Sequence, residues 1–239
     1  MKTILLKFAG PLQSWGTNSH FETRQTDLYP SKSALIGLIA ASFGYKRDED
    51  SKIKKLNELT YAVRIDQQGN LLRDYHTAQK FKNNGNFDRT YVTNRYYLED
   101  AIFVVALSHD DDKFIEEIYE NIQNPYFQTF MGRRSCPPPA DFLLGVFEDE
   151  IIDILKSYPW QAKNWYKKYH DNTVPCYMDA SIEKNLKVSQ RRDMVISFSQ
   201  RERKHQYRNE SQLIINVNDP SGENDNFTIY DEHDAYGSL

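Results

Sequence analysis

Six short segments between residues 3 and 148 set an order of strand, helix, strand, strand, helix, strand. That order constrains the chain more than any single residue does. In "TILLKFA" (3–9) Ile4, Leu6 and Phe8 share one face, and Gly10 and Pro11 stop the strand. In "SKSALIGLIAASFG" (31–44) Ser31 follows Pro30 as an N-cap and residues 34–43 are apolar almost all round. Gly44 stands where a helix C-terminus turns out, so the segment predicts a buried helix. A charged helical stretch at 51–58 follows, then "TYAVRID" with Tyr61, Val63 and Ile65 on one side, then the continuous apolar strand "AIFVVALS" (101–108), placed to pair with it. Residues 112–123 put Phe114, Ile115, Ile118, Tyr119 and Ile122 on one helical face, opposite Glu116, Glu117 and Glu120, and "FLLGVF" (142–147) is the last strand.

The order β-α-β-β-α-β predicts an α+β, ferredoxin-like domain over residues 1–149, two helices covering one side of an antiparallel sheet, provided that about 71–97 is an insertion. The flanks "LLRDYHT" and "YVTNRYY" read as strands, and "AQKFKNNGNFDR" between them is polar and glycine-broken, so the insertion is expected to protrude as a hairpin. Beyond residue 150 the text changes to a helix-like "EIIDILKSY", an aromatic "WQAKNWYKKYH" and short strands such as "MVISFS" and "QLIINV". Residues 150–217 are therefore expected to form a small β-rich C-terminal domain. Residues 218–239 hold six acids and no Lys or Arg, which fits a disordered tail.

That tail also explains the net charge of -4, because the rest of the chain carries 30 basic against 28 acidic residues. The segment 182–208 holds eight basic residues against three acids and predicts an anion-seeking surface. Two cysteines, Cys136 and Cys176, leave no disulfide framework or multi-cysteine zinc site, and no histidine spacing suits a metal, so neither metal nor cofactor is expected. No signal peptide or apolar run near ~18 residues occurs, which points to a cytoplasmic protein with no membrane partner.

Three places invite phosphate. In "MGRRSCPPP" (131–139) the prolines exclude helix and central strand, leaving Arg133 and Arg134 on a stiff exposed loop, where they either hold phosphates or are ordinary surface charges. Lys32 and Ser33 begin a helix whose positive end disfavours a cation; a bound phosphate would resolve the conflict, and a solvent-facing lysine would evade it. No Walker A spacing surrounds them. The hairpin interleaves Lys80, Lys82 and Arg89 with Phe81, Phe87 and Tyr91, which suits nucleic acid, although Phe81 and Tyr91 could instead anchor the hairpin base; the RNP1 pattern of an RRM is absent. His76, beside Tyr75 and near Arg73 and Lys80, offers at most one acid-base group, and a hydrogen-bonded strand histidine is the plainer reading.

Taken in order, "FAGPLQSWG", "FETRQTDLYPSKSALIGLIAASFGYKRDE", "LLRDYHTA" and "NPYFQTFMGRRSCPPP" resemble the CasD family, the RNA-handle-binding subunits of type I-E Cascade. The likeness covers roughly residues 4–148 and continues more weakly to about 217. It implies an RRM/RAMP-like fold with a thumb hairpin, a non-catalytic role in antiviral defence, and CRISPR RNA as ligand through its 5′ handle and first spacer nucleotides. The implied partners are the Cascade large subunit and backbone subunit, with target DNA near the guide. It further implies RNA-binding roles for Arg24, Lys32, Ser33, Arg47, Arg73, His76, Lys80, Lys82, Arg89, Gly132, Arg133, Arg134 and Ser135, with residues 79–94 as the thumb. Relatives in another subtype cleave the precursor themselves, so the competing expectation is a metal-independent endoribonuclease using Tyr75, His76 and Lys80.

Overall fold

The computed structural model describes residues 1–17 and 22–220, so the expectation for the acidic tail lies almost wholly outside the described residues. The elements are β1 (Lys2–Ala9), β2 (Leu12–Gln13), β3 (Thr23–Arg24), α1 (Lys32–Ser42), α2 (Asp50–Leu56), β4 (Thr60–Gln67), β5 (Asn70–Phe81) and β6 (Phe87–Glu99). Then come β7 (Ile102–His109), α3 (Asp112–Gln123), β8 (Leu143–Phe147), α4 (Ile151–Ser157), α5 (Asn164–Lys167), β9 (Thr173–Asp179), β10 (Val188–Ser197) and β11 (Lys204–Asn216). Seven strands form one sheet in the order β10-β11-β9-β4-β7-β1-β8, with antiparallel neighbours throughout. The strands at 60–67 and 102–109 pair as their patterns predict, Val63 opposite Val105.

Alternation along these strands builds two cores. Ile4, Leu6, Phe8, Tyr61, Val63, Phe103, Val105 and Leu107 face α1, α2 and α3. Leu5, Ala62, Val104 and Ala106 face the other way, under α4 and Trp160. Both faces are therefore covered. Arg64 and Asp66, on the side of β4 where a solvent face is the simple expectation, are fully buried. Arg64 grips Asp66 through Nε at 2.6 Å and Nη2 at 2.7 Å. It also donates to the carbonyls of Leu155 and Tyr158, which the end of α4 leaves open, and to that of Pro159 just beyond it.

Residues 150–217 do not make a sheet of their own. β9 joins β11 to the edge of β4, so the C-terminal strands extend the first sheet. β9 carries Pro175, a residue that argues against a central strand, but pairing with β4 is limited to Cys176–Met178 and Pro175 lies past its end. The insertion is a two-stranded ribbon whose strands run to Phe81 and from Phe87, through most of the stretch expected to be irregular. Its tight turn closes with Lys82 N–H donating to Asn86 O at 2.8 Å, and Gly85 takes φ +81°. β6 also pairs with β2 and, in parallel, with β3, which roots the hairpin in a second, four-stranded sheet.

Candidate nucleic-acid interface

Helix α1 forms as its caps predict: Ser31 Oγ accepts from Ala34 N–H at 3.3 Å, and Gly44, at φ +75°, donates to Ala41 O. Its outward stripe is small, with Ala34, Gly37 and Ala41 where larger residues would fill the space, and this stripe floors a groove of about 1110 Å³. One wall is residues 127–134. The N–H groups of Tyr126 and Phe127 bond the carbonyls of Ser42 and Ala41, so the chain leaving α3 is fastened along the end of α1. The opposite wall is the β10–β11 turn, where the Phe198 ring would lie 3.4 Å from a Cβ added at Gly37.

Six cations line this groove: Arg24, Lys46, Arg47, Arg133, Arg134 and Arg203, together with His205. Among the described residues no carboxylate does. Half-burial and the adjacent Arg203 and Arg192 hold the His205 imidazole below its usual range. The aromatic lining comprises Trp15, Tyr45, Phe127, Phe130 and Phe198.

The loop 131–136 is built around Gly132. At φ +79°, a Cβ placed here would lie 1.5 Å from Ser14 O, so only glycine lets this backbone meet the strand-end loop after β2. Ser14 N–H donates to Met131 O at 3.2 Å, and Cys136 N–H closes the turn on Arg133 O at 2.9 Å. Arg133 stacks over Tyr97, 4.2 Å from the ring centroid, and donates to Arg24 O at 2.9 Å. Arg134 is exposed and makes no ion pair among the described residues. Gly132→Ala is expected to cost about 3 kcal/mol through backbone strain and steric conflict. The thermal midpoint should fall by about 6–12 °C. An unchanged midpoint in calorimetry would show that the loop is not held this way.

Of the sequence-predicted residues, Arg24, Ser33, Arg47, Gly132, Arg133 and Arg134 meet in this groove. Lys32 does not. It is 5% exposed, with Nζ 3.0 Å from Asp179 Oδ2 and its N–H on Asp193 Oδ2 at 2.9 Å. The anion at the helix start is thus the protein's own, in place of either a phosphate or a solvent-facing side chain. The basic run 182–208 is likewise partly spent internally: Arg208 bonds Asp179, Asp193 and Glu210, and Arg191 pairs with Asp27. Ser135 is exposed beside the groove, its Oγ 3.8 Å from Cys136 Sγ. Arg73 bonds Asn94 on the hairpin, where His76, Lys80, Lys82 and Arg89 also lie. Lys80 and Arg89 share Asp88, at 3.7 and 3.5 Å. Phe81 and Phe87 meet edge to face at the tip and are each more than half exposed, so Phe81 does not anchor the hairpin base. Sequence reasoning missed Lys46 and His205 and held Arg203 only as part of the anion-seeking run 182–208; Lys46 adjoins Arg47, whereas the other two depend on where the β10–β11 turn lands.

Among the described residues no cluster of His, Cys, Asp or Glu could hold a metal ion, and no helix is long and apolar enough to cross a membrane. Fold and groove together define a mixed α/β protein, on a large antiparallel sheet, with a cationic cleft that no carboxylate lines among the described residues. Residues 3–209 match the family described as CRISPR-associated protein (Cas_Cas5), and the chain belongs to that Cas5 family. It is 35% identical over 156 residues to the CRISPR system Cascade subunit CasD of Escherichia coli (strain K12), covering 59% of this chain and 70% of that protein. It is also similar to a chain of a solved CRISPR RNA-guided surveillance complex, with a TM-score of 0.75, 28% identity and 90% of each chain covered. A crystal structure of a Cas protein matches with a TM-score of 0.64 and 27% identity, over 90% of this chain and 95% of that one.

Proposed function

We propose that this chain is a non-catalytic RNA-binding subunit of a type I-E Cascade that holds the 5′ handle of the CRISPR RNA. The observation that carries the reading is a groove that, among the described residues, is lined by six cations and no acid, on a chain whose net charge is negative. Such a site suits phosphates over any neutral ligand. The likeness to a Cascade subunit and to a chain of an RNA-guided complex supports the identity of the polyanion. On this reading β1-α1-β4-β7-α3-β8 is the ferredoxin-like, RAMP-type unit of residues 1–149, residues 150–217 are a folding unit added to it, and the β5–β6 hairpin is the thumb. The same reading gives a cytoplasmic protein that bridges the large subunit and the backbone subunit, close to target DNA. Arg24, Ser33, Arg47, Gly132, Arg133, Arg134 and Ser135 serve the handle, and the hairpin residues serve the first spacer nucleotides. Lys32 has an internal anion and is left out.

Against the endoribonuclease reading, Tyr75 is exposed and His76 half-buried on opposite faces of β5, so the two cannot flank one scissile phosphate on a regular strand. The test is purified protein with repeat RNA in EDTA. Tight, salt-sensitive binding without a cut is expected. A single-site cut lost in His76→Ala would replace the reading with the endoribonuclease, and no binding at low salt would end both.

A further inference from the structure

Resting on the reading above, we infer that the root of the hairpin carries a separate seat for one RNA backbone phosphate, formed by His76, Arg95, Arg24 and Arg133. Strand register sets it up. In β5–β6, Leu72 faces Tyr97, Asp74 faces Arg95 and His76 faces Thr93, and directly opposed residues share a face. Arg24 on β3 is the parallel partner of Arg95, so a row runs Asp74, Arg95, Arg24 across three strands. Arg133 reaches the same face from its loop by lying on Tyr97, two residues from Arg95. Cross-strand neighbours stand about 5 Å apart and diagonal ones about 7–8 Å, so Arg95 has Arg24 directly beside it and His76 diagonal to it on one face, with Arg133 over the adjacent Tyr97.

Three of these side chains carry a polar atom that is buried with no partner among the described residues: His76 Nδ1, Arg95 Nε and Arg133 Nη1. Buried donors are almost always paired, because leaving one unmade costs its full desolvation. Here three such atoms belong to side chains placed on one face of the hairpin root. The three guanidiniums also repel one another, and Asp74, the one carboxylate between the Leu72–Tyr97 and Ala78–Tyr91 pairs, makes no ion pair with Arg95. A phosphate answers both conditions: its oxygens accept the open N–H groups and its charge screens the arginines. Two of the four residues, His76 and Arg95, lie outside the α1 groove lining, so the seat is a distinct step between groove and hairpin. It sets which nucleotide leaves the groove and which begins to follow the ribbon.

The experiment uses the full chain and a synthetic RNA of the 5′ handle extended by spacer nucleotides, with neutral methylphosphonate linkages placed one at a time. One linkage should weaken binding to the unaltered chain by about 10- to 100-fold. In Arg95→Met the same linkage should become silent, while the salt slope of log affinity falls by about 0.7. His76→Gln should show the same silence in smaller measure, and it serves should Arg95→Met fail to fold as judged by its thermal midpoint. If the unaltered chain binds the RNA but both variants keep its affinity, slope and linkage profile, the seat is refuted and the groove reading stands. Should a DNA strand of the same sequence show the same sensitive linkage with equal affinity, the assignment to RNA is overturned. No binding of either strand would refute the RNA reading itself.

Discussion

Asp193→Ala is expected to destabilise the protein by about 3–5 kcal/mol, lowering its thermal midpoint by about 6–20 °C. Asp193 is 0% exposed and sits between two parts of the chain. It accepts from Arg208 Nε at 2.8 Å and Nη2 at 3.0 Å, and from the N–H of Lys32 at 2.9 Å. Removing it takes two of the four hydrogen bonds from the guanidinium of Arg208, which is 6% exposed and keeps only Asp179 and Glu210, and it frees the first N–H of α1. Burial pushes the Asp193 carboxyl up, but the hydrogen bonds and charge of Arg208, with Arg191 and the Lys32 N–H, outweigh it and hold the group below the usual carboxylate range. A depressed folded value stabilises above the unfolded value, about 3.9, and the contribution is lost as pH falls through the folded one. Stability of the unaltered chain should therefore drop below about pH 4, and Asp193→Asn should lose part of that acid dependence. Urea unfolding at pH 7 and pH 3 measures both. A midpoint in Asp193→Ala within 2 °C of the unaltered protein, about 1 kcal/mol or less, would contradict the assigned role.

The combined substitution Arg47→Ala, Arg134→Ala and Arg203→Ala should weaken handle RNA binding at least 10³-fold without unfolding the chain. These three come from three walls of the groove, after α1, from the 131–136 loop and from the β10–β11 turn. None of them forms an ion pair among the described residues, so their removal strands no carboxylate. Each charge-assisted contact is worth roughly 1.5–3 kcal/mol, and each 1.4 kcal/mol is tenfold. Three lost phosphate contacts on a single strand should also reduce the salt slope by about 2. Affinity within fivefold of the unaltered protein, with the slope intact, would place the RNA elsewhere.

Sequence periodicity located the central elements within a residue or two, because each buries a stripe whose period is local; α3 at 112–123 and its opposed acidic face are read directly. The groove was legible only as blocks. Arg24 and Arg133 stand 109 residues apart, and nothing local says that one donates to the other's carbonyl. Lys32 was misread for the same reason, since its carboxylate partners lie 147 and 161 residues away. The basic run at 182–208 suggested one surface, yet strand alternation turns Arg208 inward, whereas Arg203 stays exposed in the β10–β11 turn. β9 escaped notice because Pro175 is a poor central-strand residue, and only the limited length of its pairing with β4 explains its presence.

The insertion of β9 beside β4 has a consequence for synthesis on the ribosome. Once residue 149 has emerged, β1, β4, β7 and β8 can all pair, but β4 keeps an open edge, and Leu5, Ala62, Val104 and Ala106 face water until α4 and Trp160 arrive. The nascent chain therefore passes through a period with a bare apolar face beside an unpaired strand edge, a combination that recruits other chains. At about 5–20 residues per second, the remaining 68 residues to Val217 take several seconds to translate. A slow codon run within 150–217 would lengthen that exposure, and one placed after 217 would not.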